Sequence, residues 1–190
     1  MIVLYPTETV YGLGAPVFDE VAMRDLYILK GREVGKSVSW LVRNIADIEQ
    51  YAEMDEVSAK IAQRFLPGPL TLVLPLKATV RAMMPTPSDT VGFRVSSDVY
   101  TQRIIYDVMH DTHSPLTCTS ANVSGMPTMH NVEDILEQFG DKRHYITEIC
   151  DGGIRTGTPT TVIEVRDGNI TLFREGSIHF VEIDTFACTL

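Results

Sequence analysis

MIVLYPTETVYGLGAPVFDEVAMRDLYILKGR, residues 1–32, changes hydrophobic period once along its length. Residues 1–6 are a short apolar run ended by Pro6, the pattern of a buried strand. Tyr11-Gly12-Leu13-Gly14 reads as a glycine-containing turn. From Asp19 the apolar residues Val21, Met23, Leu26, Ile28 and Leu29 fall at helical spacing, so a helix is expected over 19–29 with Asp19 as its N-cap. Strand, turn and helix in so short a stretch point to an α/β fold.

The rest of the chain repeats that alternation. Strands are expected over 38–42, 70–76, 91–95 and 116–119, and helices over 45–51, 57–65, 99–109 and 132–139. Pro67-Gly68-Pro69 breaks the chain before one strand, and Gly140 ends the last of these helices. Residues 160–165 and 170–174 flank Asp167-Gly168, a hairpin signal. Helical crossovers together with a hairpin predict a twisted, mixed parallel and antiparallel sheet with flanking helices. No linker, repeat or low-complexity tract divides residues 1–190, so one domain is expected. The tail, 178–190, carries no clear pattern.

Composition narrows the function. Hydrophobic residues make up 44% and charged residues 22%, as in an ordinary globular protein. No apolar run is long enough to span a bilayer, and the amino end lacks the basic flank of a signal peptide, so a cytoplasmic location is expected. The three cysteines, Cys118, Cys150 and Cys188, are far apart and suggest neither a disulfide framework nor a zinc site. The net charge of −9 disfavours non-specific nucleic-acid binding but leaves room for a local basic cleft.

Five clusters carry polar side chains of chemical interest, each with a structural alternative. Pro6 to Ala15 places two threonines and Tyr11 after a strand, where ligands bind in open α/β sheets; on spacing alone G-x-G reads as a plain turn. Lys30-Gly31-Arg32, followed by Lys36, suits phosphate or carboxylate, or is simply favourable charge at a helix C-terminus. Ser120-Ala121-Asn122-Val123-Ser124-Gly125 suits ribose or phosphate, or is a turn. Arg94 in Gly92-Phe93-Arg94 lies on an apolar strand, where it needs a partner: a substrate carboxylate or one of the acidic side chains. Pro159-Thr160-Thr161-Val162, with Arg174 on the next strand, completes a polar pocket or is ordinary strand sequence. P-loop and G-x-S-x-G motifs are absent, and Cys118 has no defined histidine partner.

Taken together and in this order, the clusters resemble the YrdC/Sua5 (TsaC) family of threonylcarbamoyl-AMP synthases. Residues 6–15 match that family's signature, Lys30-Gly31-Arg32 its K-x-R element and Ser120-Ala121-Asn122 its S-x-N element. The resemblance covers residues 2–176. It implies a deep cleft in the sheet and a nucleotidyltransferase that makes threonylcarbamoyl-AMP and pyrophosphate from ATP, L-threonine and bicarbonate. The product would pass to a transferase that modifies adenosine 37 of tRNA (t6A), with direct tRNA contact weak. By this resemblance Lys30 and Arg32 are catalytic and bind ATP together with Thr90, Ser120, Asn122, Thr128 and Arg174. Thr7, Tyr11, Arg94, Thr160 and the backbone at Cys118 hold L-threonine. Mg²⁺ accompanies ATP, and no protein metal site is implied.

The chain departs from the family at Glu33 and Ser37, where prolines are common, and at Thr160, where serine is more usual. It also resembles the short type, without a further C-terminal domain, and starts its first strand at residue 2, where members usually carry a preceding helix. That would leave a sheet face for a partner or a second copy. Two alternatives compete. One is a YciO-like or carbamoyl-adenylating relative with a different substrate, against which the intact Asn122 speaks. The other is an RNA-binding module without chemistry, against which the acidic balance speaks.

Overall fold

The structure, a computed structural model, describes residues 1–84 and 88–189. In chain order the elements are β1 (Val3–Tyr5), β2 (Gly12–Gly14), α1 (Glu20–Lys30), β3 (Ser39–Leu41), α2 (Ile45–Tyr51), α3 (Glu56–Phe65), β4 (Leu70–Pro75) and the short α4 (Ala78–Arg81). There follow β5 (Thr90–Arg94), α5 (Val99–Thr112), β6 (Leu116–Ser120), α6 (Val132–Phe139), a 3-10 turn over Gly140–Tyr145, β7 (Glu148–Ile149), β8 (Thr161–Arg166), β9 (Asn169–Arg174) and α7 (Phe180–Ala187). The strands form one mixed sheet in the order β7-β1-β2-β6-β3-β5-β4-β8-β9.

Local signals set most of these boundaries. Asp19 caps α1 by accepting from the N–H groups of Val21 and Ala22. Asp55 and Asp98 cap α3 and α5 in the same way. Asp167 and Gly168 both have positive φ, 52° and 75°, as a two-residue hairpin between β8 and β9 requires. Asp55 also ties that hairpin down, accepting from the Gly168 N–H at 2.8 Å.

The expected turn at Tyr11-Gly12-Leu13-Gly14 is instead a strand. β2 runs antiparallel to β1, with Tyr5 opposite Gly12 and Val3 opposite Gly14. The reversal comes earlier, where Thr7 Oγ1 donates to Val10 O at 2.6 Å and accepts from the Thr9 N–H at 3.1 Å. The glycines are needed for packing. A Cβ on Gly12 would lie 2.8 Å from the ring of Tyr5, which is fully buried. Gly12→Ala is therefore expected to cost about 1–3 kcal/mol through overpacking, read as a lower urea midpoint at unchanged slope.

Other features were not signalled by periodicity. β7 pairs only two residues with β1. α7 occupies the tail and packs Phe186 against Phe65 of α3, ring centroids 5.8 Å apart. At the centre of the core, Trp40 of β3 meets Phe18, Tyr51 and Phe93 edge-on at 5.6–5.8 Å. This cluster holds β3 and β5 rigid beneath the polar surface described next.

Candidate active site

A cleft of about 330 Å³ crosses the face of the sheet, with lining residues from seven of the nine strands: β2, β3, β4, β5, β6, β8 and β9. Sequence reasoning placed a ligand beyond the carboxyl ends of the strands. The mixed topology changes that. Antiparallel neighbours set the starts of β2, β3, β4 and β8 (Gly12, Ser39, Thr71, Val162) beside the ends of β5, β6 and β9 (Arg94, Ser120, Arg174). The floor is the sheet itself.

Among the described residues the lining contains Arg32, Arg94 and Arg174 and no aspartate or glutamate. In a protein of net charge −9 that is a strong local reversal of sign, and it favours an anionic ligand with several charges. Hydroxyl-bearing residues complete the wall: Thr9, Ser37, Ser39, Thr71, Thr119, Ser120, Thr128 and Thr160.

Lys30 and Arg32 are separated by a helix cap. Gly31 takes the left-handed conformation, φ 58°, and ends α1 with Gly31 N–H donating to Ile28 O and Arg32 N–H to Tyr27 O. Lys30 stays in the last turn, 2% exposed, and Arg32 turns into the cleft. Lys30 Nζ donates to Ser120 O at 2.5 Å and Asn122 O at 2.8 Å, with Asn122 Oδ1 at 3.5 Å. Three oxygens facing three donors suit the ammonium form. Burial, and then the nearby Arg32, oppose it and pull the group down to about 7. Lys30 thus sits close to its charge transition at neutral pH.

Asn122 is fixed as tightly. Its Nδ2 donates to Val123 O and Met126 O, and its Oδ1 accepts from Ser120 Oγ at 2.5 Å. Arg32 donates from Nη2 to Ser37 O at 2.8 Å, while its buried Nε has no partner among the described residues. Such an atom is costly to leave unmet. Glu33 pairs with Lys36 on the exposed surface at 2.8 Å, away from the cleft lining.

At the other end, Arg174 donates to the backbone oxygen of Thr160 from Nε at 3.2 Å and from Nη2 at 2.9 Å. Thr160 Oγ1 lies 2.9 Å from Thr71 Oγ1, joining β4 to the residue that leads into β8. Burial and the charge of Arg94 both lower the Arg174 pKa, so two like charges already face each other in this cleft. Arg94 donates from Nη2 to Glu8 at 2.7 Å and from Nη1 to Cys118 Sγ at 3.3 Å; its Nε is buried without a partner among the described residues. Burial lowers the Arg94 pKa, but Cys118 and Glu8 more than offset this and leave it raised.

Of the twelve candidate residues, Arg32, Ser120, Thr128, Arg174, Tyr11, Arg94, Cys118 and Thr160 line the cleft. Lys30 and Asn122 lie directly behind Ser120. Thr7 is fully buried and shapes the loop carrying Thr9 and Val10. Tyr11 hydroxyl is turned to the 151–153 segment, 2.8 Å from Gly153 O and accepting from the Gly152 N–H. Thr90 begins β5, outside the lining, with its carbonyl bonded by Ser88 Oγ. Glu8 and Ser96, which hold Arg94 from outside the lining, escaped sequence reasoning, as did the lining residues Ser39 and Thr119. A buried arginine demands a partner, but nothing in the sequence selects Glu8 among 25 acidic residues.

The Sua5/YciO/YrdC family model, which carries the description "Telomere recombination", matches residues 1–176. The threonylcarbamoyl-AMP synthase of Pyrococcus abyssi is 36% identical, over 96% of this chain and 52% of its own length. That of Vibrio vulnificus is 33% identical, over 92% of this chain and 91% of its own. The solved structure of P. abyssi Sua5 complexed with L-threonine superposes with a TM-score of 0.83 at 33% identity, covering 97% of this chain and 53% of that one. This chain therefore spans about half the length of the P. abyssi proteins and nearly all of the Vibrio one. No helix among the described residues is long and apolar enough to cross a membrane. The motif order, the mixed sheet and the cleft agree with these matches, and the chain belongs to the Sua5/YciO/YrdC family.

Proposed function

We propose that this chain is an L-threonylcarbamoyladenylate synthase. The observation that carries the proposal is the cleft with three arginines, one buried lysine behind it and no acidic lining, in a chain whose relatives bear that name. The reaction brings together ATP, bicarbonate and an amino-acid carboxylate, whose repulsion must be offset by fixed cations. The threonine amine attacks the bicarbonate carbon, giving a carbamate and water. A carbamate oxygen then attacks the α-phosphorus of ATP, forming threonylcarbamoyl-AMP and releasing pyrophosphate. The work of the protein is to position and neutralise, and no side-chain nucleophile is needed.

Lys30, Arg32, Ser120, Asn122, Thr128 and Arg174 are assigned to the nucleotide, with Thr90 at its margin. Arg94, Thr160, Tyr11 and the Cys118 backbone are assigned to L-threonine, and Thr7 acts through the loop it braces. Mg²⁺ fits as a companion of ATP. Among the described residues no group of three His, Cys, Asp or Glu side chains is placed to hold a metal, so phosphate oxygens and water would ligate it. The product would pass to a transferase acting on adenosine 37 of tRNA.

The test is pyrophosphate release from ATP. Release that needs both L-threonine and bicarbonate is expected. Release indifferent to threonine, or none with a folded protein, would overturn the proposal.

A further inference from the structure

Arg94 lines the cleft, but what aims it does not. Glu8 and Ser96 lie behind it, outside the lining. Glu8 Oε1 accepts from Arg94 Nη2 at 2.7 Å, with the side chains only 15% and 9% exposed. Glu8 Oε2 in turn accepts from Ser96 Oγ, and Ser96 is fully buried. Ser96 is pinned at two more points. Its Oγ accepts from the Asp98 N–H at 3.2 Å, the first residue ahead of α5, and its carbonyl accepts from Gln102 Nε2 at 2.6 Å. The carboxylate is therefore held from the loop between β5 and α5, outside the cleft lining.

This arrangement has a consequence for the guanidinium. Nη2 is engaged by Glu8 and Nη1 by Cys118 Sγ, which fixes the plane of the group from both ends. Nε is buried and, among the described residues, has no partner. An arginine fork binds a carboxylate well only when its plane is preset, because the bidentate geometry is directional. Glu8 also supplies the negative charge that a buried cation requires before substrate arrives.

We propose that Glu8, held by Ser96, is the positioning residue for amino-acid recognition: it presets the plane of the Arg94 guanidinium at the cleft wall, where that group meets the substrate carboxylate. This rests on the assignment of Arg94 to L-threonine above. Glu8 acts through Arg94 and touches no substrate itself. Its loss should therefore weaken threonine binding and leave ATP handling nearly intact, which a general structural defect would not do.

The experiment compares wild type, Glu8→Gln and Ser96→Ala by calorimetric titration with L-threonine, by KM for each substrate and by thermal unfolding. Glu8→Gln keeps the shape and removes the charge. It should raise the Kd and KM for threonine on the order of 10-fold to 100-fold, with kcat and the KM for ATP within about 2-fold. Ser96→Ala keeps the charge and frees the carboxylate, and should raise the threonine KM in the same direction by less. If Glu8→Gln does not fold, Ser96→Ala alone decides: an unchanged threonine KM overturns the inference. It is also overturned if folded Glu8→Gln binds threonine as wild type does, or loses ATP and threonine affinity equally. Wild type that fails to bind threonine at all would sink the assignment of the site, a result distinct from either of these.

Discussion

Lys30→Ala is expected to lower threonine- and bicarbonate-dependent pyrophosphate release by on the order of 10²–10³-fold, the usual cost of removing one preorganised charge from a reacting centre. Lys30 is caged by the oxygens of Ser120 and Asn122 rather than open to solvent. Its removal takes away both a charge and the tie that holds the Ser120–Asn122 loop against α1. A pH measurement separates the two. In the free protein Lys30 is pulled down to about 7 by burial and by Arg32. A polyanion in the cleft stabilises the ammonium and raises that value. From about pH 7 upward to the raised value, the complex then holds more protons than the free protein. ATP binding should therefore take up protons at pH 8, and its affinity should fall as pH rises. Calorimetry in two buffers of different ionisation enthalpy measures the uptake. In Lys30→Ala it should vanish, while thermal unfolding shows whether the fold persists. Equal proton uptake in the variant would show that Lys30 is not the group that titrates.

Arg94→Ala should have the largest effect on stability. It leaves the Glu8 carboxylate buried without its cation, and removing one partner of a buried pair costs about 3–5 kcal/mol. Denaturant unfolding should show this as a lower midpoint. Threonine binding should weaken in the same variant by at least about 10²-fold, the cost of leaving a charged partner unmet. The double change Glu8→Gln with Arg94→Met separates the two effects. Removing both charges should restore part of the stability, since a buried pair exchanged for neutral groups is often nearly neutral in energy. Threonine binding should stay lost. If the double variant is no more stable than Arg94→Ala, the ion pair is not what stabilises this end of β5.

Much of the architecture could be read from local chemistry. Asp19, Asp55 and Asp98 each stand one residue before a helix and cap it, and Gly31 and Asp167-Gly168 stand where positive φ is required. Such signals act over a few residues and need no partner elsewhere in the chain. β2 was misread as a turn because glycines mark both turns and close approaches. Only the Tyr5 ring lying against Gly12 tells which applies. β7 was missed because a two-residue strand has no measurable period. α7 was missed although it is eight residues long, because its apolar residues find their purpose only against α3.

By itself, the sequence determined the alternation of strands and helices and the mixed sheet, which depend on residue type and spacing, and it carries the ordered motifs by which the chain resembles its family. Tertiary structure decided the rest. It put strand starts beside strand ends so that Arg32, Arg94 and Arg174 share one acid-free cleft. It set Lys30 behind that cleft and chose Glu8 to hold Arg94. The physical reason is sequence distance. Lys30 meets Asn122 across 92 positions and Glu8 meets Arg94 across 86. Contacts that far apart are selected by the pairing of the whole sheet, which no local pattern encodes.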